Sequence, residues 1–227
     1  LLNVESDQSS HHHNAMVSFF QILEIVDRTD LKTELLQELD RQKAIMTSLI
    51  DNPQINVEVL KPILENILIV SAKLRGIYTR VGQPLRENEW LMAIRQRAII
   101  PGGLCEFDLP AYHYWLDSAP DERREDLKSW LGHVLPIYEA ISIMMNILRG
   151  SGSPSHNLAT QGSFQQMLGG GKPAQMLQIK LDDDIKCYPE ISANKYAINI
   201  RFMSMDRSEK PHPCDFDVPF TLTLGNL

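Results

Sequence analysis

Apolar positions recur at helical spacing up to about residue 150 and at alternating spacing after it. From Leu31 to Leu49, the side chains of Leu31, Leu35, Leu39, Met46 and Leu49 fall close to one helical stripe, with Thr29 or Asp30 before them as an N-cap. Ile63 to Leu74 forms a second apolar segment that ends at Gly76, and Pro62 suits either a first turn or a kink. A third segment, Asn88 to Ile99, is closed by the breaker Pro101-Gly102-Gly103. Leu109 to Leu116 is short and aromatic. Asp121 to Arg149 is long and amphipathic, carrying Leu127, Trp130, Leu131, Val134, Leu135, Tyr138, Ile141, Met145 and Leu148 at helical spacings, and Pro136 should kink or divide it.

The period then becomes two, after Gly150-Ser151-Gly152-Ser153-Pro154, which reads as a linker. Leu177, Ile179 and Leu181 alternate with polar residues, as do Ile198, Ile200 and Phe202, and later Val218, Phe220, Leu222 and Leu224. Turn-rich stretches, Gly169-Gly170-Gly171 and Asp182-Asp183-Asp184, separate these runs. Helices followed by strands predict an α+β protein: an α-helical bundle over residues 1–150, then a small antiparallel β-sheet domain over 151–227.

Composition narrows the function. The chain has 227 residues, 43% of them hydrophobic and 22% charged, so its core is not limited by apolar material. Its net charge of −7 weighs against the molecule as a whole seeking nucleic acid or anionic lipid, so any such partner needs a local patch. Cys105, Cys187 and Cys214 are far apart and lack zinc-site spacing, which predicts reduced thiols and a cytoplasmic setting. No apolar run is long enough to insert in a membrane: Ile67-Leu68-Ile69-Val70 is soon followed by Lys73 and Arg75. No signal peptide is visible. The sequence opens at Leu1 without a methionine, so the natural start is expected upstream.

The motifs of common enzymes are missing, including nucleophile elbows, phosphate loops, dinucleotide fingerprints and zinc-protease helices, and no cofactor or metal is expected. Gly102-Gly103 and Gly169-Gly170-Gly171 read as turns, Asp182-Asp183-Asp184 as an exposed hairpin turn, and His11-His12-His13 as a flexible polar loop.

Charge placement is more informative. Between Ala72 and Ile99, the six bases Lys73, Arg75, Arg80, Arg86, Arg95 and Arg97 face only two acids, Glu87 and Glu89, a local +4 in an acidic chain. Five of the six are arginine, whose planar fork suits carboxylates. Arg95 and Arg97 diverge by about 200° on a helix, so one is expected at a ligand and the other in a structural pair. A solvated helix face is the bland alternative. His113, among Tyr112, Tyr114 and Trp115, is expected to reach outward while its aromatic neighbours pack inside. These groups fit an acidic, partly apolar peptide, with a nucleic-acid-binding module as the alternative use of the same arginines.

Several irregular blocks carry a resemblance. They are Thr33-Glu34-Leu35-Leu36-Gln37-Glu38-Leu39-Asp40-Arg41-Gln42, Arg95-Gln96-Arg97, Ile100-Pro101-Gly102-Gly103, Phe107-Asp108-Leu109-Pro110, His113-x-Trp115-Leu116, Tyr188-Pro189-x-Ile191-Ser192 and Ile200-Arg201-Phe202-Met203. In this order, from about Phe19 to Asp206, the chain resembles the ZapD family of bacterial Z-ring-associated cell-division proteins. The resemblance implies a non-enzymatic cytoplasmic homodimer, recruited to mid-cell, that binds the C-terminal tail of FtsZ and bundles its filaments. It places the tail site at Arg86, Arg95, Arg97 and His113, with Arg80 in the same basic stretch, and a secondary contribution at Lys195 and Arg201. The resemblance also implies departures from the family pattern: Glu89 stands where family members can carry a further arginine, and Ala197 where a relative has one.

Overall fold

The computed structural model describes residues 3–28, 30–50, 56–169, 174–204 and 210–227, the side chains of residues 27 and 28 aside. Among the described residues, helices α1 (Ser9–Arg28), α2 (Leu31–Leu49), α3 (Val57–Arg75), α4 (Gln83–Arg86), α5 (Glu89–Ala98), α6 (Pro110–Asp117), α7 (Pro120–Gly132) and α8 (Leu135–Ser151) precede all strands. The strands are β1 (Pro154–Ala159), β2 (Ser163–Met167), β3 (Met176–Lys180), β4 (Cys187–Ala193), β5 (Ala197–Ser204) and β6 (Val218–Gly225). The fold is α+β, and the chain separates into two compact units, Leu1–Ile143 and Met144–Leu227.

Local chemistry explains the helix limits. Asp30 caps α2 by accepting the Thr33 N–H, Asn56 caps α3 at Glu58, and Asn88 caps α5 at Leu91, each worth about 1 kcal/mol. Pro62 lies inside α3. The long amphipathic segment divides at His133 and Val134, so Pro136 falls in the first turn of α8, where its missing N–H costs little. α7 and α8 meet at a 65° bend, and no single helix among the described residues is long and apolar enough to cross a membrane.

His11, His12 and His13 correct the loop reading, because they lie in the first turns of α1. His12 shares a stripe with Met16, Phe19, Leu23 and Val26, all buried, so helical period and not polarity decides its place. His12 is fully buried and hydrogen-bonds at both ring nitrogens. Its Nδ1 accepts from Nε of Arg123 at 2.8 Å, and since arginine only donates, the proton sits on Nε2 and points to the Val4 carbonyl at 3.2 Å.

Arg123, on α7, is only 3% exposed. Besides His12, its guanidinium donates to the carbonyls of Leu116 at 2.7 Å, of Asp7 at 2.9 Å, and of Ser118. One side chain thus ties the segment before α1, α1 itself and the α6–α7 turn to a single point. Arg124 pairs with Asp7 and Asp121, and Lys128 with Glu5 at 2.9 Å, which pins the same segment from outside. Beside this point lies the helical core, where Trp90, Tyr112, Trp115 and Trp130 have ring centroids 5.6–6.4 Å apart. Trp115 Nε1 donates to Asp126 at 2.9 Å, joining α6 to α7.

The strand unit is two antiparallel three-stranded sheets, ordered β1-β6-β3 and β2-β5-β4. Phe164 and Phe202 of one sheet meet Phe220 of the other at 5.0 and 5.1 Å, so the core lies between the sheets. The supposed linker is a tight passage. Gly150 and Ser151 finish α8, Pro154 opens β1, and a Cβ on Gly152 would come 2.4 Å from the Leu224 carbonyl oxygen. Asp183 and Asp184 do form an exposed turn, but it joins strands of different sheets and is not a hairpin. The glycine run at 169–171 lies partly outside the described residues.

Burial, reinforced by Arg123 and Arg124, holds the His12 imidazole below the ordinary histidine value of 6.5 despite the opposing bond from Val4. Burial, with His113 nearby, also lowers His13. The unfolded chain therefore takes up protons first as pH falls, and stability declines from about pH 6.5 downward until the folded histidines also protonate. Replacing His12 by Asn, which keeps an acceptor near Nδ1, is expected to flatten part of that acid decline in thermal unfolding. Arg123→Ala strands His12 Nδ1 and three carbonyls, and should cost about 3–5 kcal/mol in denaturant unfolding.

Candidate functional site

Two of the six bases in the basic stretch pair with acids on neighbouring helices, and the other four lie on and before α4 and α5. Lys73 on α3 pairs with Glu139 on α8, and Arg75 with Asp40 on α2, both at 2.8 Å across exposed surface. Such pairs contribute roughly 0–1 kcal/mol each, and they commit these two bases to holding helices together. Arg80, Arg86, Arg95 and Arg97 follow on the turn before α4, on α4 and on α5.

The turn depends on Gly82, which has φ +71° and lies close to both Leu23 of α1 and the Arg86 guanidinium. Arg86 is half-buried and donates through Nη1 to the Val81 carbonyl, so it braces this turn as well as adding charge. α5 buries Leu91 and Ile94, and that choice of face decides the two remaining arginines. Arg95 is half-buried with Nη1 4.0 Å from the Met92 sulfur, while Arg97 is exposed on the other side. The expected divergence is seen. Glu89 lies exposed in the first turn of α5, where the positive end of the helix favours an acid.

Past α5 the chain makes a loop closed by its own backbone hydrogen bonds. The N–H of Ile100 donates to the Arg97 carbonyl, and that of Gly103 to the Ile100 carbonyl at 2.9 Å. Cys105 bonds back to Gly102, and Asp108 and Leu109 bond back to Cys105. A Cβ on Gly103 would stand 2.5 Å from the Arg97 carbonyl oxygen, so the loop lies directly against the end of α5.

His113 differs from its expectation. It is half-buried, and its Nε2 is 2.8 Å from the Leu104 carbonyl, so it fastens the loop to α6 and does not reach outward. The next ring along the chain does. Tyr114 is 82% exposed, as is Ile99, and Phe107 at the loop tip is 93% exposed. Tyr112 and Trp115 are buried, as the packing reading held. The exposed apolar groups beside Arg97 were missed in the sequence. Phe107 carried a signal, since it stands between Glu106 and Asp108 in a stretch with no helical or strand period.

In the strand unit, Arg201 is exposed at the centre of β5, flanked across the sheet by Ser163 and Glu190. It lines a shallow trough of about 540 Å³ with Gln165, Ile191, Ser192 and Asn199. Lys195 lies in the β4–β5 turn with Nζ 4.8 Å from the centre of the Tyr196 ring. Ala197 is buried. No group of three His, Cys, Asp or Glu able to hold a metal occurs among the described residues.

The family profile for ZapD, a cell division protein, matches residues 2–201. The chain belongs to the ZapD cell-division protein family. It is 48% identical over 221 residues to the cell division protein ZapD of Nitrosomonas eutropha, covering 97% of this chain and 88% of that one. The ZapD of Aromatoleum aromaticum is 47% identical over 97% of this chain and 86% of its own, and that of Dechloromonas aromatica 47% over 98% and 88%.

The glycines of the loop give a contrast that can be measured. Gly103→Ala forces a methyl against the Arg97 carbonyl and should cost about 1–3 kcal/mol, with faster amide exchange at Cys105 and Asp108. Gly102 has positive φ but open space around it, so Gly102→Ala should cost only about 1 kcal/mol.

Proposed function

We propose that this chain binds the C-terminal tail of FtsZ through the surface formed by the α4–α5 arginines and the loop after them, and bundles FtsZ filaments as a homodimer in the cytoplasm at mid-cell. The observation that carries this reading is the packing of the loop's Gly103 against the Arg97 carbonyl at the end of α5, with the Arg97 side chain and the apolar groups of Ile99, Phe107 and Tyr114 standing in solvent. Arginine forks take carboxylates, and solvent-exposed rings beside them bury aliphatic groups, so the surface suits a short peptide. The reaction is association only. Neither Arg86 nor His113 needs to leave its present bond, since both shape the surface that Arg97 charges, while the half-buried Arg95 lies on the other side of α5. Two such surfaces in a dimer can each hold a weak tail, and the many tails along a filament convert weak contacts into bundling by avidity. Lys195 and Arg201 add a second basic contribution from the strand unit.

Nucleic acid fits this surface less well. Glu87, Glu89, Glu106 and Asp108 are interleaved with the arginines and are all exposed, which opposes a phosphate track.

Arg97→Ala, at an exposed position, is expected to leave unfolding unchanged and weaken binding of a labelled FtsZ tail peptide about tenfold in fluorescence anisotropy. Wild-type affinity should fall as salt rises from 50 to 300 mM, because these exposed charges are screened. Unchanged co-sedimentation with FtsZ filaments for Arg95→Ala and Arg97→Ala alike, or a flat salt response, would contradict the assignment.

A further inference from the structure

The segment from Val4 to Gln8 is strapped to α1 and α7 by bonds of two kinds. On the surface, Glu5 pairs with Lys128 and Asp7 with Arg124, exposed pairs that contribute little. Below them, Val4 is buried in the helical core, its carbonyl takes the His12 Nε2–H at 3.2 Å, and the Asp7 carbonyl takes an Arg123 N–H at 2.9 Å. His12 and Arg123 are themselves joined at 2.8 Å, with His12 Nδ1 as the acceptor. The buried half of the strap therefore depends on one nitrogen lone pair.

Protonation removes that acceptor. An imidazolium donates from both nitrogens, so its Nδ1–H points at the Arg123 N–H across 2.8 Å, in a site where both residues are buried. The charges that bear on the ring are Arg123 and Arg124, both cations. The nearby acids are committed elsewhere, Asp7 and Asp121 to Arg124 and Glu5 to Lys128. On α1, His11 Nδ1 lies 2.8 Å from the Ser6 hydroxyl, a contact its charged form keeps, and His13 meets Tyr112 of α6. The rest of the unit has its own supports. Arg123 retains the Leu116 and Ser118 carbonyls, and Met16, Phe19 and Leu23 stay within the core.

We infer that residues 4–8 and the first turn of α1 form an acid-released strap, which lifts from α7 when His12 takes a proton while the remainder of the helical unit stays folded. Lifting draws Val4 out of the core and separates Arg124 and Lys128 from Asp7 and Glu5. This device does not depend on the proposed tail binding. The closed strap carries no proton on His12 and the open one does. Opening therefore grows by up to about tenfold for each pH unit below 6.5, until the closed form is protonated as well.

Amide hydrogen exchange of the full chain between about pH 7.5 and 5, corrected for intrinsic rates, tests the strap. Protection at His11 and His12, whose N–H groups bond to the Gln8 carbonyl, should fall by up to about tenfold per pH unit, while Phe19, Leu23 and Trp115 stay within about twofold. His12→Asn should remove that pH dependence at residue 11. The wild-type ring should also remain the neutral Nε2–H tautomer at pH 6.5 in nitrogen-detected spectra, a readout that needs no variant to fold. Flat protection at residues 11 and 12, a loss shared equally by Leu23 and Trp115, or an unchanged pH slope in His12→Asn would overturn the strap. So would a charged His12 ring at pH 6.5 with residues 11 and 12 still protected, since that is the state the geometry forbids.

Discussion

A buried guanidinium organises the helical unit. Arg123 sits under α1 with four of its five N–H groups donating, to a neutral histidine and three carbonyls, and those acceptors come from three separate stretches of chain. A cation so deeply buried is tolerated because most of its N–H groups are hydrogen-bonded, and the chain supplies carbonyls and an imidazole in place of a carboxylate. The imidazole must stay neutral for this to work. The same contact that fixes α1 therefore makes the unit sensitive to acid.

From that point the geometry of the surface follows. α1 is held on α6 and α7, where His13 Nδ1 meets the Tyr112 hydroxyl at 2.9 Å and the tryptophan cluster packs behind it. With Tyr112 buried, the helical period turns Tyr114 outward and leaves His113 at the margin, close enough to clamp Leu104. The clamp and Gly103 set the loop against the end of α5, and the loop carries Phe107 exposed to solvent. An interior decision about one arginine reaches the outer surface through two helices and one loop.

Much of this was legible in the sequence wherever one period dominated. α2, α5 and β6 could be read from their stripes, and the choice of Thr29 or Asp30 as the α2 cap falls to Asp30, while Asn88, read as the start of its segment, caps α5 instead. α1 was hidden because three histidines suggest polarity, while the period that decides them depends on Met16, Phe19 and Leu23 further on. β1, β2 and β4 were hidden because short edge strands of Ser, Gln, Asn and Pro carry little alternation of their own. The Gly-Ser run misled for a related reason: Gly152 is small to admit the Leu224 backbone, and flexibility has no part in it. At the site, the arginines were visible by charge and Arg95 and Arg97 by angle. The role of His113 was not, because a hydrogen bond to a carbonyl nine residues away leaves no mark on composition.

Amide hydrogen exchange of the full chain with and without the FtsZ tail peptide tests the central claim most directly. The account predicts added protection at residues 95–109 and 113–116, with little change along α2 and α3. Protection confined to the strand unit, or to the α2–α3 helices, with none at residues 95–109 would contradict it.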